Sequence, residues 1–178
     1  PKPVRARESD LDAVPASSPG ANPKSDSVPN PGPRIRLTRD ASVVDAPSIG
    51  PKTAGKLGVI GVKTVGDLLE VSPEDAAARI KQGHINARII RDWQAQALLA
   101  CTVPELSGTS AQLLVGAGVA SLDDLASADP DALADAIALF AASSDGERAL
   151  RGSSPPDRAR VMGWIAAALQ IRGNRTAA

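Results

Sequence analysis

From residue 41 onward, apolar residues recur at the spacing of amphipathic helices. One predicted helix carries them three or four positions apart, at Ile85, Ile89, Trp93 and Ala97. A second has the same spacing at Val161, Trp164, Ile165, Ala168 and Leu169. No segment alternates between apolar and polar residues for long enough to predict a sheet. The pattern therefore predicts an all-α fold.

Capping signals mark the starts of short helices. A hydroxyl residue stands three positions before an acid at Thr64–Asp67 and again at Ser121–Asp124. Such a pair satisfies backbone amides that the first helical turn leaves without partners. A capping side chain also directly precedes proline, whose fixed φ suits the first helical position, at Ser72–Pro73 and Asp129–Pro130.

The same features recur at an offset of 57 residues, which indicates an internal duplication. Matching pairs are Leu57 with Leu114, Gly61 with Gly118, Leu68 with Leu125, Pro73 with Pro130 and Ile80 with Ile137. The offset becomes 71 where Trp93 matches Trp164, so the second copy contains an insertion near residues 141–154. We predict one helical domain, 41–178, made of unit one (41–100) and unit two (101–178).

The first forty residues differ in composition from the rest of the chain. They are rich in Pro, Ser and Gly and contain few apolar residues, which predicts a flexible linker over 1–40. The basic and apolar strip Arg34–Arg39 at its end could pack along the helices. Because the chain begins with Pro1 rather than Met, we expect it to be a piece of a larger protein.

The segment APSIGPKTA at residues 46–54 predicts an anion-binding turn. Gly50 would allow a tight bend with no Cβ near a ligand, and Pro51 would start a helix. The free amides of Lys52 and Thr53 would then point at a phosphate from the positive end of the helix dipole. Lys56 and Lys63 would add charge nearby, and Ile49 and Ala54 would be buried.

This segment resembles the helix-hairpin-helix motif, whose hairpin binds the nucleic-acid backbone without reading sequence. The repeat from about Ser42 onward also resembles a bacterial family of uncharacterised tandem helix-hairpin-helix domains. The resemblance implies two related hairpin units packed as one helical domain, without an established activity. The candidate nucleic-acid contacts are Ser48, Ile49, Gly50, Lys52, Thr53, Lys56, Lys63, Gly108 and Thr109.

Two departures from the motif weaken the expectation of DNA binding. Ser48 stands where the usual first hairpin has a glycine. In the second hairpin, Pro104–Ser110, both expected glycines are replaced and Gly108 comes one place late. Glu105 would face the position of the phosphate there and repel it.

Charge is balanced overall but unevenly distributed. The chain has 20 basic and 20 acidic residues. Residues 101–147 contain eight acidic and no basic residues, whereas 148–178 contain six basic and one acidic residue. Nucleic-acid binding is strengthened when Lys and Arg side chains displace the counterions of the phosphates. We therefore expect the first unit rather than the second to hold a nucleic acid.

The composition excludes several classes of function. A single cysteine, Cys101, and a single histidine, His84, exclude a disulfide framework and a Cys/His metal site. No catalytic constellation or cofactor motif is present, so we expect neither enzymatic activity nor a cofactor. No apolar stretch approaches the ~18 residues of a membrane helix, and no signal pattern appears, so we expect a cytoplasmic protein.

Two hypotheses follow from the sequence. The first is a non-catalytic, sequence-independent binding module for double-stranded or junction DNA, in which the first hairpin makes the main contact. The alternative is a protein-interaction or assembly module that kept the fold without DNA binding and that associates through the acidic second unit. The sequence leaves open whether hairpin carbonyls hold a monovalent cation.

Overall fold

The computed structural model describes residues 34–177. Within that range the chain forms nine α-helices, one short 3-10 helix and no β-strand. The 3-10 helix covers Val43–Asp45, and the α-helices are α1 Pro51–Val59, α2 Val65–Glu70, α3 Pro73–Ile80, α4 Ala87–Thr102, α5 Gly108–Gly116, α6 Leu122–Ser127, α7 Pro130–Ala141, α8 Ser144–Leu150 and α9 Arg158–Thr176. The prediction of an all-α fold is confirmed.

The predicted capping residues start the helices as expected. Thr64 and Asp67 form a complete capping box at α2, in which each side chain accepts a hydrogen bond from the other residue's amide. Ser121 caps α6 by accepting from the amide of Asp124. Ser72 and Asp129 cap α3 and α7, each directly before a proline. Local sequence therefore sets these helix starts.

Helix boundaries recur at the offset seen in the sequence. Helices α1 and α5 have the same length and begin 57 residues apart, as do α2 and α6. Helices α4 and α9 begin 71 residues apart, at Ala87 and Arg158. Gly61 and Gly118 both have φ near 95°, in the left-handed region that favours glycine. These correspondences support the interpretation of two related units.

The segment predicted as an insertion in unit two contains α8, which packs against α5 and α7. Two glycines permit close packing among α5, α7 and α8. A Cβ at Gly146 would lie 2.1 Å from the carbonyl oxygen of Phe140, and one at Gly116 would lie 2.3 Å from the Phe140 ring. Gly146 therefore lets α8 rest on the main chain of α7, and Gly116 lets α5 lie against the Phe140 ring.

Residues 34–42, here called the N-terminal strap, lie against the helical domain. Leu37 is buried in the core, and the amide of Gly66 donates to the carbonyl of Arg39 (2.7 Å). The amide of Val65 donates to the carbonyl of Ala41 (2.9 Å). The boundary expected after residue 40 therefore lies too late, because packing already includes residues 34–40. The remainder of the flexible linker predicted over 1–40, residues 1–33, lies outside the described residues.

One continuous core joins the helices of both predicted units. Aliphatic side chains fill most of it, including Leu57, Leu68, Leu114 and Leu125, which are fully buried. Trp93 of α4 and Trp164 of α9 are 8% and 5% exposed. Both tryptophans are therefore part of the core, as their apolar helix faces predicted. None of the helices within residues 34–177 is long and apolar enough to cross a membrane.

Candidate nucleic-acid interface

The first hairpin bends at Ser48 rather than at Gly50. Ser48 has φ 64°, whereas Gly50 has an extended backbone with φ −91° and ψ 173°. The expectation that Gly50 makes the tight bend is therefore wrong. The hydroxyl of Ser48 donates to the side-chain carbonyl oxygen of Gln96 on α4 (2.7 Å). That contact offsets part of the cost of the left-handed backbone, since serine is disfavoured there.

Helix α1 starts without a side-chain cap. Gly50 is its N-cap residue and Pro51 its first helical residue, as the sequence predicted. The eight other α-helices within residues 34–177 each have a Ser, Thr, Asn or Asp whose side chain accepts from a first-turn amide. At α1 no described residue accepts from the amides of Lys52 or Thr53. Two donors therefore remain available at the positive end of this helix.

The predicted lysines do not all lie at that helix start. Lys52 is exposed in the first turn of α1. Lys56 lies in the last turn, where its ammonium donates to the side-chain oxygen of Gln82. Lys63 follows α1 on an exposed segment, and its amide donates to Asp67 (3.0 Å). Lys52 is thus the predicted lysine in the turn that carries the free amides.

The two predicted apolar residues of the hairpin are buried to different degrees. Ile49 is 5% exposed. Ala54 is half-buried and packs against the core, while Ala111 at the corresponding position of α5 is fully buried. Thr53, beside Ala54, is also half-buried. The hairpin is therefore fixed through Ile49, and α1 lies closer to solvent than α5.

Glu105 of the second hairpin has the same backbone conformation as Ser48 but a different partner. Its φ is 59°, and its carboxylate accepts from the amide of Arg34 (3.0 Å) and the guanidinium of Arg36 (2.9 Å). These hydrogen bonds, that of the Arg34 amide first, lower the pKa of Glu105 below its usual value. The expectation that this carboxylate faces a phosphate is wrong, because it is bound to the N-terminal strap.

Gly108 and Thr109 are at the start of α5, which Ser107 caps. A Cβ at Gly108 would lie 3.5 Å from the side chain of Pro47, so the two hairpins contact each other here. The first hairpin and the end of the second hairpin consequently line one concavity. Among the predicted site residues, the structure brings together Ser48, Ile49, Gly50, Gly108 and Thr109 and leaves Lys52, Thr53, Lys56 and Lys63 outside it.

This concavity, here called the hairpin groove, has a volume of about 880 Å³. The first hairpin, α4, the start of α5 and α8 form its walls. Its charged residues are Arg88, Asp92, Asp145, Arg148 and Arg151. None of them was among the predicted contacts, although Arg148 and Arg151 belong to the basic stretch 148–178 that the charge distribution marked. The polar stripe of α4 gave a second signal, since Arg88, Asp92 and Gln96 follow one another at four-residue spacing.

A second groove of about 750 Å³ lies between the second hairpin and α9. It occupies the corresponding place in unit two, with Trp164 where the hairpin groove has Trp93. Ala167 replaces Gln96 at the 71-residue offset, and small residues of α9 form much of the wall. The two grooves therefore have related positions and different chemistry.

Comparison with known proteins gives a family and no activity. The class that the structure defines is an all-α domain. The chain belongs to the family described as Domain of unknown function (DUF4332), whose sequence pattern matches residues 47–171. The expected membership of an uncharacterised family is confirmed. No curated protein and no solved structure matches the chain significantly.

Proposed function

We propose that the chain is a non-catalytic module that binds the nucleic-acid backbone without reading its sequence. The uncapped start of α1 would hold a phosphate through the amides of Lys52 and Thr53. The exposed ammonium of Lys52 would add a mobile charge beside them. Binding of this kind positions a protein on nucleic acid but reads no bases.

One observation carries the proposal: α1 alone among the described α-helices lacks a capping side chain. A side-chain cap stabilises a helix by about 1 kcal/mol relative to Ala but by only a few tenths of a kcal/mol relative to Gly, so Gly50 leaves the first-turn amides open to a ligand at little cost in stability. Gly50 is exposed, and no atom lies within 4 Å of its ideal Cβ position. A phosphate could therefore reach the amides that a side chain would otherwise occupy.

The substitution Gly50→Asp tests the proposal because it should change stability and binding in opposite directions. The new carboxylate would accept from the free amides and interact favourably with the helix dipole, which should stabilise the protein by about 0.5 kcal/mol. The same carboxylate would exclude a phosphate, so duplex affinity should fall about tenfold or more. Thermal unfolding and fluorescence anisotropy with two unrelated duplexes at low salt measure the two effects.

Gly55→Asp is the matched control. It adds the same charge within α1, at an exposed site whose ideal Cβ position is also open. We expect it to weaken binding only about twofold, since salt screens the repulsion between an exposed carboxylate and a phosphate that does not contact it. Lys52→Glu should weaken binding more than Lys56→Glu, because Lys56 is engaged with Gln82. Equal losses for Gly50→Asp and Gly55→Asp would contradict a specific role of the helix start.

A second candidate function is protein interaction through unit two. Asp123, Asp124 and Asp135 are exposed, and Leu139 lies one helical turn after Asp135 with 78% of its surface exposed. An apolar side chain beside carboxylates is suited to a partner with basic and apolar groups. Sedimentation without nucleic acid separates the two functions. Association that depends on concentration and is lost in Leu139→Glu, without duplex binding, would favour the second.

A further inference from the structure

We propose that the hairpin groove holds a short stretch of one unpaired nucleic-acid strand next to the duplex held at α1. This inference rests on the proposed function and adds a preference for junctions between single-stranded and double-stranded nucleic acid. Gly50 belongs to both places, since it is the N-cap residue of α1 and also lines the groove. A strand that leaves the start of α1 can therefore continue into the groove.

Gln96 places an unused donor in the wall of the groove. Its side chain is 8% exposed, and its carbonyl oxygen is fixed by the hydroxyl of Ser48. No described residue accepts from its amide nitrogen. Because no buried side-chain nitrogen or oxygen within residues 34–177 lacks a partner, that nitrogen must reach solvent, and the groove is the cavity that Gln96 lines. The groove thus offers a nearly buried donor to an acceptor.

Further donors come from the start of α5. Ser107 accepts from the amide of Ser110, which leaves the amides of Gly108 and Thr109 without an acceptor among the described residues. Gly108 and Thr109 line the same groove as Gln96. A group that satisfies these donors must present several acceptor oxygens, as a phosphodiester does.

Arginines outnumber carboxylates along the groove. Arg148 is paired with Asp145 (2.7 Å), whereas Arg88 and Arg151 have no ion pair with any described residue. Arg151 ends α8 in the left-handed conformation, with φ 50°. Asp92 is the remaining carboxylate and opposes an anion. The surplus of cations, together with the donors, favours an anionic ligand.

The size of the groove favours one strand over a duplex. Its volume of about 880 Å³ equals that of a cube with sides of roughly 10 Å. A B-DNA duplex is wider than its own major groove, which alone measures about 12 Å, so an intact duplex cannot enter a space of this size. A single strand can enter, and apolar groups of Ile89 and Phe140 in the lining could contact its bases.

Binding to three probes tests this inference with the full chain. The probes are a blunt duplex, the same duplex with a short single-stranded overhang, and an acidic peptide of Glu and Leu residues. We expect the overhang to raise affinity about tenfold and to steepen the salt dependence by about one or two contacts. In the variant Arg88→Gln/Arg151→Asn this gain should disappear while blunt-duplex binding changes little. Asn tolerates the left-handed backbone of residue 151 and should preserve the fold.

Two further variants provide the controls. Arg79→Gln/Arg175→Gln removes the same charge from exposed positions outside the groove and should leave the overhang gain intact. Asp92→Asn removes the opposing carboxylate and should increase the gain about twofold to threefold.

The possible results separate the two proposals. If the blunt duplex itself does not bind, the proposed function fails. If the duplex binds and the overhang adds no affinity, or if the groove variant keeps the gain, only the strand in the groove is refuted. Peptide binding that the groove variant abolishes, without an overhang gain, would assign the groove to an acidic protein partner and would also refute the strand.

Discussion

At the scale of single residues, two hairpin positions have one backbone conformation and opposite surroundings. Ser48 and Glu105 stand 57 residues apart and both have φ near 60°. Ser48 binds Gln96 and leaves the uncapped start of α1 exposed. Glu105 binds the main chain of Arg34 and the side chain of Arg36. The second hairpin is therefore covered by the N-terminal strap, whereas the corresponding part of the first hairpin is exposed to solvent.

Hydrogen bonds to Glu105 should make stability depend on pH. Because they lower its pKa in the folded state, their stabilising effect is present above the unfolded pKa of about 4.3 and is lost as pH falls through the folded value. The difference in unfolding free energy between the native protein and Glu105→Gln should thus be largest near neutral pH. It should shrink below pH ~4, as followed by urea denaturation over a pH series.

The variant Arg36→Gln separates the contributions of the Arg34 amide and the Arg36 guanidinium to the lowered pKa of Glu105. The amide of Arg34 still donates to Glu105 in this variant, so the pH-dependent difference should become smaller without vanishing. A difference between the native protein and Glu105→Gln that stays constant from neutral pH to below the folded pKa would contradict the lowered pKa.

At the scale of elements, α8 is the helix without a counterpart in the predicted first unit, where α4 directly follows α3. It fills the insertion between α7 and α9 and packs on α5 and α7. Gly116 and Gly146 leave space for Phe140 and for the main chain of α7. Because α8 also carries Arg148 and Arg151, the insertion completes one wall of the hairpin groove. The insertion therefore shapes the candidate site.

Gly146→Ala should destabilise the protein by about 1–3 kcal/mol, because the new methyl group would overlap the carbonyl oxygen of Phe140 and the backbone must shift. Gly163→Ala provides the comparison, since its ideal Cβ position on α9 is open. That change should stabilise the helix by up to about 1 kcal/mol. Denaturant unfolding monitored by circular dichroism measures both. Equal stability of the two variants would show that α8 tolerates a shift away from α7.

Sequence reasoning succeeded where structure depends on neighbouring residues. The caps Thr64, Ser72, Ser121 and Asp129 act within three positions, and the helices start where these residues predict. It failed where partners are distant. The hydroxyl of Ser48 meets Gln96 48 residues later, and Glu105 meets Arg36 69 residues earlier. Neither contact leaves a local pattern. Arg148 and Arg151 belong to the basic stretch that the charge distribution marked, but nothing in the sequence placed them beside the first hairpin.

At the scale of the whole molecule, the charge distribution sets the strength of any nucleic-acid binding. Opposite charges are partly paired within unit two, where Arg158 contacts Asp131 (2.6 Å). Arg172 also folds back, and its guanidinium donates to the hydroxyl of Ser127 on α6 (3.0 Å). Arg158 and Arg172 of α9 therefore lie beside the acidic helices α7 and α6.

Salt dependence offers a test of this picture as a whole. Each phosphate contact contributes about −0.9 to the slope of log affinity against log salt on B-DNA. With Lys52 and the α1 amides as the main grip on a blunt duplex, we expect a slope between about −1 and −3. Titration of duplex binding from low to moderate salt measures it, and Lys52→Glu should reduce its magnitude by about one. A slope of about −6 or steeper would require about six or more phosphate contacts and therefore a broad basic surface. A chain with 20 basic and 20 acidic residues is not expected to form such a surface. That result would contradict the start of α1 as the main contact.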